Sequence, residues 1–482
     1  MSPEPTKSRA YLTGASAVLM AKLCALPMGF ASLWLLNQIL SKEQFGAYAF
    51  AMATVSMLIP IGTVGLDGAA LYRHSRTEPA AGRFAGGQYV GWVVRRVVIL
   101  GITISLTLAL GALALPDSSD PLGLGWWLAA LGLLIPLAGI DRVLSAWQQA
   151  RGLVRRALLV PRTADPAKLF MLAIAWIAFP SQIGVVVAVL LGAATPVVVW
   201  RLLIPQGALR PPKKPSSEDL RYGEKLMLVN LAHGGVSRLD LLMIGLMTNG
   251  GLTAEYAVAS QIAVLTTFGA QLVGPVFVPR MGRYFERSDW EGLRVEYEQN
   301  RMLALFFALG VVAFFVLVGR PLLSVFGDYS GAFPILLLLG AAYVIQTGFG
   351  ANTRYLIMSG RANWMLASTI LTLVSIGGLN VLLIPRFGSL GAAAGTALGV
   401  AGVNALISLI IWRIDRLSTV SVGALAVLAG ACGLLVLAAV GWLNPIPAGL
   451  GLGLLWLSTT PAVYAISVRL VAPTPQGTSD GE

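Results

Sequence analysis

The stretch 206-QGALRPPKKPSSEDLRYGE-224 decides how this chain is read, because no other segment between residues 10 and 470 is so plainly polar. Pro205, Pro211, Pro212 and Pro215 forbid a continuous helix through it. Its basic residues Arg210, Lys213, Lys214 and Arg221, with Lys225 beside it, mark the cytoplasmic side if the flanks lie in a membrane. Working outward, both flanks are hydrocarbon. The seam therefore divides the chain into two halves joined by a solvated linker.

Composition agrees. Apolar residues make up 56% of the chain and charged ones only 12%, and the mean hydropathy is +0.76, which describes a polytopic all-α membrane protein. The 54 glycines and 26 prolines sit mostly inside apolar runs, as membrane helices tolerate. A net charge of +12 raises nucleic acid as a partner, but the basic residues alternate between loops instead of forming one face. Cys24 and Cys432 both fall in apolar spans, so neither a metal cluster nor a disulfide framework is indicated. Met1 to Arg9 is too polar for the core of a signal peptide, and the apolar run Ala10 to Leu40 is too long for one, so a retained first helix is expected.

Apolar runs of about 20 residues, enough to cross a hydrocarbon core, number about fourteen. Six precede the seam, near 12–39, 46–66, 87–115, 122–140, 157–179 and 182–204. Eight follow it, near 224–248, 254–278, 302–326, 332–358, 363–385, 390–412, 419–442 and 446–469. With both termini placed in the cytoplasm, only Lys42, Arg320 and Arg386 of the 34 basic residues fall outside, and the outer connection PDSSDP (116–121) is purely acidic. Trp126 and Trp127 at an outer helix end, with Trp200 and Trp412 at inner ends, read as interfacial belts.

Five cations remain at membrane depth: Lys22, Arg162, Lys168, Arg238 and Arg354. A buried cation costs roughly 3 kcal/mol on the insertion scale, so it normally faces a bundle interior or a wet cavity. Arg162 stands near a helix end, where snorkelling explains it. Asp165 lies three residues from both Arg162 and Lys168, and Asp240 lies two from Arg238, so local neutralisation competes with a functional role for these groups. Lys22 has no acid within a helical turn and is expected to line a cavity. His233 reads either as a packed side chain or as a proton relay.

Internal similarity pairs Gly46–Met52 (GAYAFAM) with Ala254–Ser260 (AEYAVAS), setting Tyr48 opposite Tyr256 and Lys22 opposite Asn230. Gly391, Gly395 and Gly399 repeat every four residues, a smooth strip for close helix packing. Between spans eight and nine, Arg283 to Arg301 carries Trp290, Leu293 and Tyr297 on one face, with Ser288 and Glu291 as a capping box, and is expected to lie on the membrane surface as an amphipathic helix. No phosphate-cradling loop, metal-spaced His/Cys cluster or Ser/His/Asp set occurs outside apolar helices, so no catalytic residues and no cofactor are expected.

Several of these stretches, LSKEQFGAYAFA (40–51), GLDGAALYRHSR (65–76), LTAEYAVASQ (252–261), VFGDYSGAFPILLLLG (325–340) and above all LLIPRFGSLGAAAGTALG (382–399), resemble the polysaccharide transporter branch of the MOP exporters, which contains the Wzx-type flippases. The resemblance covers roughly residues 12–413. It implies two six-helix bundles in a V around a central cavity, plus two C-terminal helices. The chain then divides into an N-terminal bundle (1–205), a cytoplasmic linker (206–223), a C-terminal bundle (224–413) and two extra helices with a polar tail (414–482). The implied cargo is a glycan on a polyprenyl pyrophosphate, flipped by alternating access from the inner to the outer leaflet of a bacterial plasma membrane for O-antigen or exopolysaccharide synthesis. Implied partners are membrane lipids and a polysaccharide polymerase or glycosyltransferase.

On that reading the candidate substrate-cavity residues are Lys22, Lys168, Arg238, Arg354 and Asn230. Asp165, Asp240 and His233 are candidates for ion coupling or pairing, and Arg73 and Arg76 for the cytoplasmic entrance. A pyrophosphate needs a cationic cavity whereas a drug-cation antiporter needs carboxylates, and the first helix carries Lys22 and no acid. A MATE-like antiporter, a MurJ-like lipid II flippase and a non-transporting scaffold of a glycan assembly complex stay open as alternatives.

Overall fold

Helices account for all the regular structure among the described residues, as the apolar rhythm of the sequence requires. The computed structural model describes residues 25–68, 87–114, 123–205, 207–209, 214, 216–350, 352–359, 361–416 and 422–471. In order these form α1 (25–39), α2 (Lys42–Thr63), α3 (Gly87–Ala114), α4 (Leu124–Leu131), α5 (Leu134–Ala150), α6 (Val154–Leu159), α7 (Ala164–Ala178) and α8 (Gln182–Leu203). There follow α9 (Ser217–Met247), α10 (Gly250–Ala263), α11 (Phe268–Glu286), α12 (Trp290–Ser324), α13 (Ala332–Gly348), α14 (Asn352–Met358), α15 (Ala362–Asp415), α16 (Val422–Val440) and α17 (Pro445–Val471). Among the described residues, 7 helical runs are long and apolar enough to cross a membrane, and α13 and most of α16 are shorter apolar helices.

The chain divides into two units. One runs up to Ala257 and takes in Val325–Gly327, and the other holds Val258–Ser324 and the chain from Asp328 onward. In the first unit α9 runs antiparallel to α2: Gly46 abuts the Gly250 carbonyl, Phe50 covers Gly245, and Gly65 meets Gly223 and Met227. Small residues let the two backbones approach where larger side chains would hold them apart. Beside them Val90, Val93, Val143, Trp147 and Trp200 form a buried core.

The seam is shorter than expected. Its second part is already helix, because Ser216 accepts the Asp219 N–H at 3.2 Å while the Asp219 carboxylate accepts the Ser216 N–H at 3.1 Å, a reciprocal cap that starts α9. Ala208 and Leu209, earlier in the seam, lie against Gly87 and Gly91 of α3.

The belt reading fails for two of the four tryptophans. Trp126 and Trp412 are exposed, but Trp127 and Trp200 are fully buried. Trp200 donates its indole N–H to Asp141 Oδ1 at 2.8 Å, and Trp127 meets Tyr48 edge-on with centroids 5.5 Å apart. Trp200, with an internal partner for its N–H, has no need of the interface.

In the second unit α15 is two helices. Pro385 removes a backbone donor and Gly388 adopts φ 58°, ψ −135°, so the chain reverses. The returning half then lays Gly391, Gly395 and Gly399 against Leu383, Asn380 and Ile376 of the half before. The glycine strip packs as the spacing predicts, and its partner is the preceding arm of the same hairpin.

The segment around Trp290 departs from expectation. It is the opening of the 35-residue α12 instead of a separate surface helix. Ser288 sits at φ 54° and does not cap; Asp289 does, accepting the Gly292 N–H at 2.9 Å. Leu293 and Tyr297 are buried while Trp290 stays exposed.

The repeat is expressed in the helix boundaries. Helix α1 ends at residue 39 and α9 at Met247, α2 starts at Lys42 and α10 at Gly250, and both pairs stand 208 residues apart. Both second helices are capped at their starts, by Ser41 accepting the Gln44 N–H at 3.3 Å and by Asn249 accepting the Leu252 N–H at 2.9 Å.

Candidate functional site

Lys22, Arg73 and Arg76 lie outside the described residues. The others separate into three places. Lys168 is on α7, its backbone and Cβ pressed against Gly192 of α8, so that α7 and α8 form a hairpin around it. Asp165, one turn before, stands 3.7 Å from Arg162. Local neutralisation of Asp165 is therefore realised, and among the described residues no ion pair holds the Lys168 ammonium.

The second place is α9. Asn230, His233, Ser237 and Asp240 stand at i, i+3, i+7 and i+10, which sets them on one face, with Arg238 at its edge. The helix is 31 residues long, about 46 Å at the helical rise, so length alone suffices to span a bilayer. It fails the apolar criterion because of this stripe and its charged first turns. His233, Ser237 and Arg238 are exposed and Asn230 half-buried. Ser237 donates to the His233 carbonyl at 3.2 Å. Among the described residues, the side chains of Asn230, His233 and Arg238 form no hydrogen bond or ion pair.

Asp240 differs from its neighbours on the stripe. Its Oδ2 accepts the hydroxyl of Tyr256 on α10, while Oδ1 accepts the Leu241 N–H at 2.9 Å, and Arg238 lies close enough to attract it. Tyr256 is 1% exposed and Asp240 half-buried. Nearer the start of α10, Glu255 pairs with Lys42 of α2 at 2.7 Å. The repeat alignment singled out Tyr256 as a landmark, without the role of donor to Asp240.

The third place is in the second unit. Arg354, on α14, lies against Gly274 of α11 so closely that an added Cβ there would coincide with the guanidinium. Around it runs a polar network that sequence reasoning missed. Tyr297 donates to Asn352 Oδ1 at 2.7 Å, Asn352 Nδ2 to Ser408 Oγ at 3.1 Å, and Tyr355 to Asp415 Oδ2 at 2.7 Å. Arg361 grips the same carboxylate with both Nη atoms, Nη2 to Oδ1 at 2.8 Å. One signal was available: Asp415 closes a helix, where the macrodipole disfavours an acid, so it needs a strong partner.

Comparison with known proteins places this architecture. Residues 11–285 match the family described as polysaccharide biosynthesis protein. The chain belongs to that family. Among curated relatives it is 24% identical, over 197 residues, to a probable low-salt glycan biosynthesis flippase, Agl15, of Haloferax volcanii; the alignment covers 39% of the chain and 41% of the relative. The chain thus spans about two fifths of that relative's length.

Among solved structures, the lipid II flippase MurJ in an inward closed conformation superposes with a TM-score of 0.71 at 11% identity, covering 94% of this chain and 99% of that one. An inward-facing multidrug resistance MATE family transporter of the MOP superfamily gives 0.70 at 16% identity, covering 84% and 99%. At these identities the likeness is one of fold. The family member is a multi-pass membrane protein that shares the fold of these two proteins.

Proposed function

We propose that this polysaccharide biosynthesis family member flips a polyprenyl-pyrophosphate-linked oligosaccharide from the inner to the outer leaflet of a bacterial plasma membrane by alternating access. The observation that carries the reading is the family match across residues 11–285. The flippase named among its relatives points the same way. The charge inventory supports it further. Lys168, Arg238 and Arg354 form no salt bridge or hydrogen bond with a carboxylate among the described residues, which suits an anionic head group better than a cationic drug. Both termini face the cytoplasm on this reading, as the loop charges require. Glycosyltransferases that build the glycan and a polymerase that consumes it are the expected partners.

Lys22 provides the test. Purified variants in proteoliposomes, assayed for inward-to-outward transfer of a fluorescent polyprenyl-pyrophosphate oligosaccharide, should lose transfer in Lys22→Ala while protein levels hold. Lys22→Arg should retain part of it, since charge survives in a different donor geometry. Lys22→Glu should be worse than alanine, because repulsion adds to lost attraction. Equal transfer by all three variants and the wild type sinks the cavity role of Lys22, and absence of transfer by the wild type sinks the flippase reading.

A further inference from the structure

Three cations in the polar cluster of the second unit have carboxylate partners. Arg361 has Asp415, Arg280 has Glu296 at 3.6 Å, and the fully buried Arg301 has Glu298. Arg354 is half-buried, and no acid among the described residues pairs with it. Leaving a half-buried guanidinium unpaired is costly, so the chain ought to let it swing to water or supply a carboxylate. It does neither.

Instead, the helix that carries the arginine is held in place. Helix α14 is tied before Arg354 by Asn352, which joins Tyr297 of α12 to Ser408 of α15. It is tied after Arg354 by Tyr355, which shares the Asp415 carboxylate with Arg361. The aromatic rings of Tyr297, Tyr355 and Phe285 pack beside these bonds, with centroids 6.3 Å and 5.2 Å apart. Beneath the guanidinium, Gly274 supplies a notch that any side chain would fill.

From this we infer that Arg354 is a phosphate-binding residue, mounted by the Tyr297–Asn352–Ser408 and Tyr355–Asp415–Arg361 contacts and seated on Gly274 to meet a phosphate-bearing lipid head group. A guanidinium presents its donors as a rigid fork that matches phosphate oxygens, and pre-positioning removes the entropic cost of aiming it. The same chemistry is offered by the pyrophosphate of a polyprenyl carrier and by an anionic phospholipid. The first source rests on the export reading above; the second does not.

The test is native mass spectrometry of the full-length protein with undecaprenyl pyrophosphate, with phosphatidylglycerol, and with phosphatidylcholine as a lipid of no net charge. Arg354→Gln should weaken binding of undecaprenyl pyrophosphate about tenfold or more, the loss of one charge-assisted hydrogen bond or two. Arg354→Lys should restore part of it. Tyr297→Phe, which frees Asn352 but leaves Arg354 intact, should weaken it about threefold with phosphatidylcholine binding unchanged, a selectivity that loose folding would not produce.

Loss confined to the pyrophosphate identifies the cargo as the ligand, and loss for both anionic lipids identifies a general head-group site. Wild-type binding of both by Arg354→Gln overturns the inference. If Arg354→Gln does not fold, Gly274→Ala displaces the guanidinium without removing its charge, and wild-type binding there overturns it equally. A wild-type protein that flips no cargo while Arg354→Gln still loses phosphatidylglycerol breaks the export reading and leaves the phosphate site standing. Normal flipping with undiminished lipid binding in Arg354→Gln does the reverse.

Discussion

Two regions of this molecule gather polar side chains, and they treat them in opposite ways. Where α12, α14 and α15 meet, Tyr297, Asn352, Tyr355, Arg361 and Asp415 are satisfied by one another, with a bidentate ion pair at the centre. Along α9, Asn230, His233 and Arg238 stand on one helix without side-chain partners among the described residues. Paired polar groups specify structure, whereas unpaired ones in a membrane protein are kept for a ligand. The contrast predicts which substitutions unfold the protein and which silence it.

The largest effect should come from neither region but from the hairpin that supports the first. Gly395→Leu drives a side chain into Asn380, which is fully buried across the α15 hairpin. The added side chain would meet the carboxamide of Asn380, which is buried between the two arms and has no free space to move into. Folded protein should disappear from the membrane fraction, measured by fluorescence-detected size exclusion of a tagged variant. A well-expressed but inactive Gly395→Leu would show that the two arms separate during function.

Next in size is the ion pair. Asp415→Ala leaves Arg361 and the Tyr355 hydroxyl without their acceptor, and the side chains of the pair are 8% and 29% exposed. Breaking one side of such a pair costs on the order of 3 kcal/mol, read as a lowered melting midpoint in detergent. Removing both partners, Asp415→Ala with Arg361→Ala, should cost less than the single change, because no buried charge is then stranded. If the double variant is the less stable, the pair is held by packing and the contrast with α9 weakens.

These residues also show how far the sequence could be read. The glycine strip was legible because helical spacing of small residues has one main use, packing. Its partner was not, since Gly388 had to reverse the chain before Gly395 could face Asn380. The charges of α9 were legible as anomalies in an apolar helix. Arg361 and Asp415 were hidden because, 54 residues apart, each looked like an ordinary loop charge of a membrane protein. Trp127 and Trp200 misled for a related reason: an indole near a helix end has the same sequence signature whether it faces lipid or finds an internal acceptor such as Asp141.

Tyr256→Phe probes the one place where α9 behaves like the paired region. The hydroxyl that Asp240 loses is one donor among several, so stability should fall by about 1 kcal/mol, and transfer of the lipid-linked cargo in proteoliposomes should persist. Abolished transfer at an unchanged melting midpoint would move Asp240 and Tyr256 out of the structural class.

The smallest effect on the fold should come from Arg238→Gln. The side chain is exposed, forms no ion pair among the described residues, and sits at the edge of a stripe whose members do not bond one another. Its removal strands only Asp240, which keeps Tyr256 and the Leu241 N–H. Surface changes of this kind stay within about 0.5 kcal/mol, so the melting midpoint should not move. If unpaired cations are retained for the cargo, transfer should nevertheless fall about tenfold or more, the loss of a charge-assisted contact to phosphate. Arg238→Lys, equally stable, should recover part of the rate, which a role in packing would not predict. A variant that is as active as it is stable would remove Arg238 from the site and leave the α9 stripe without a cation.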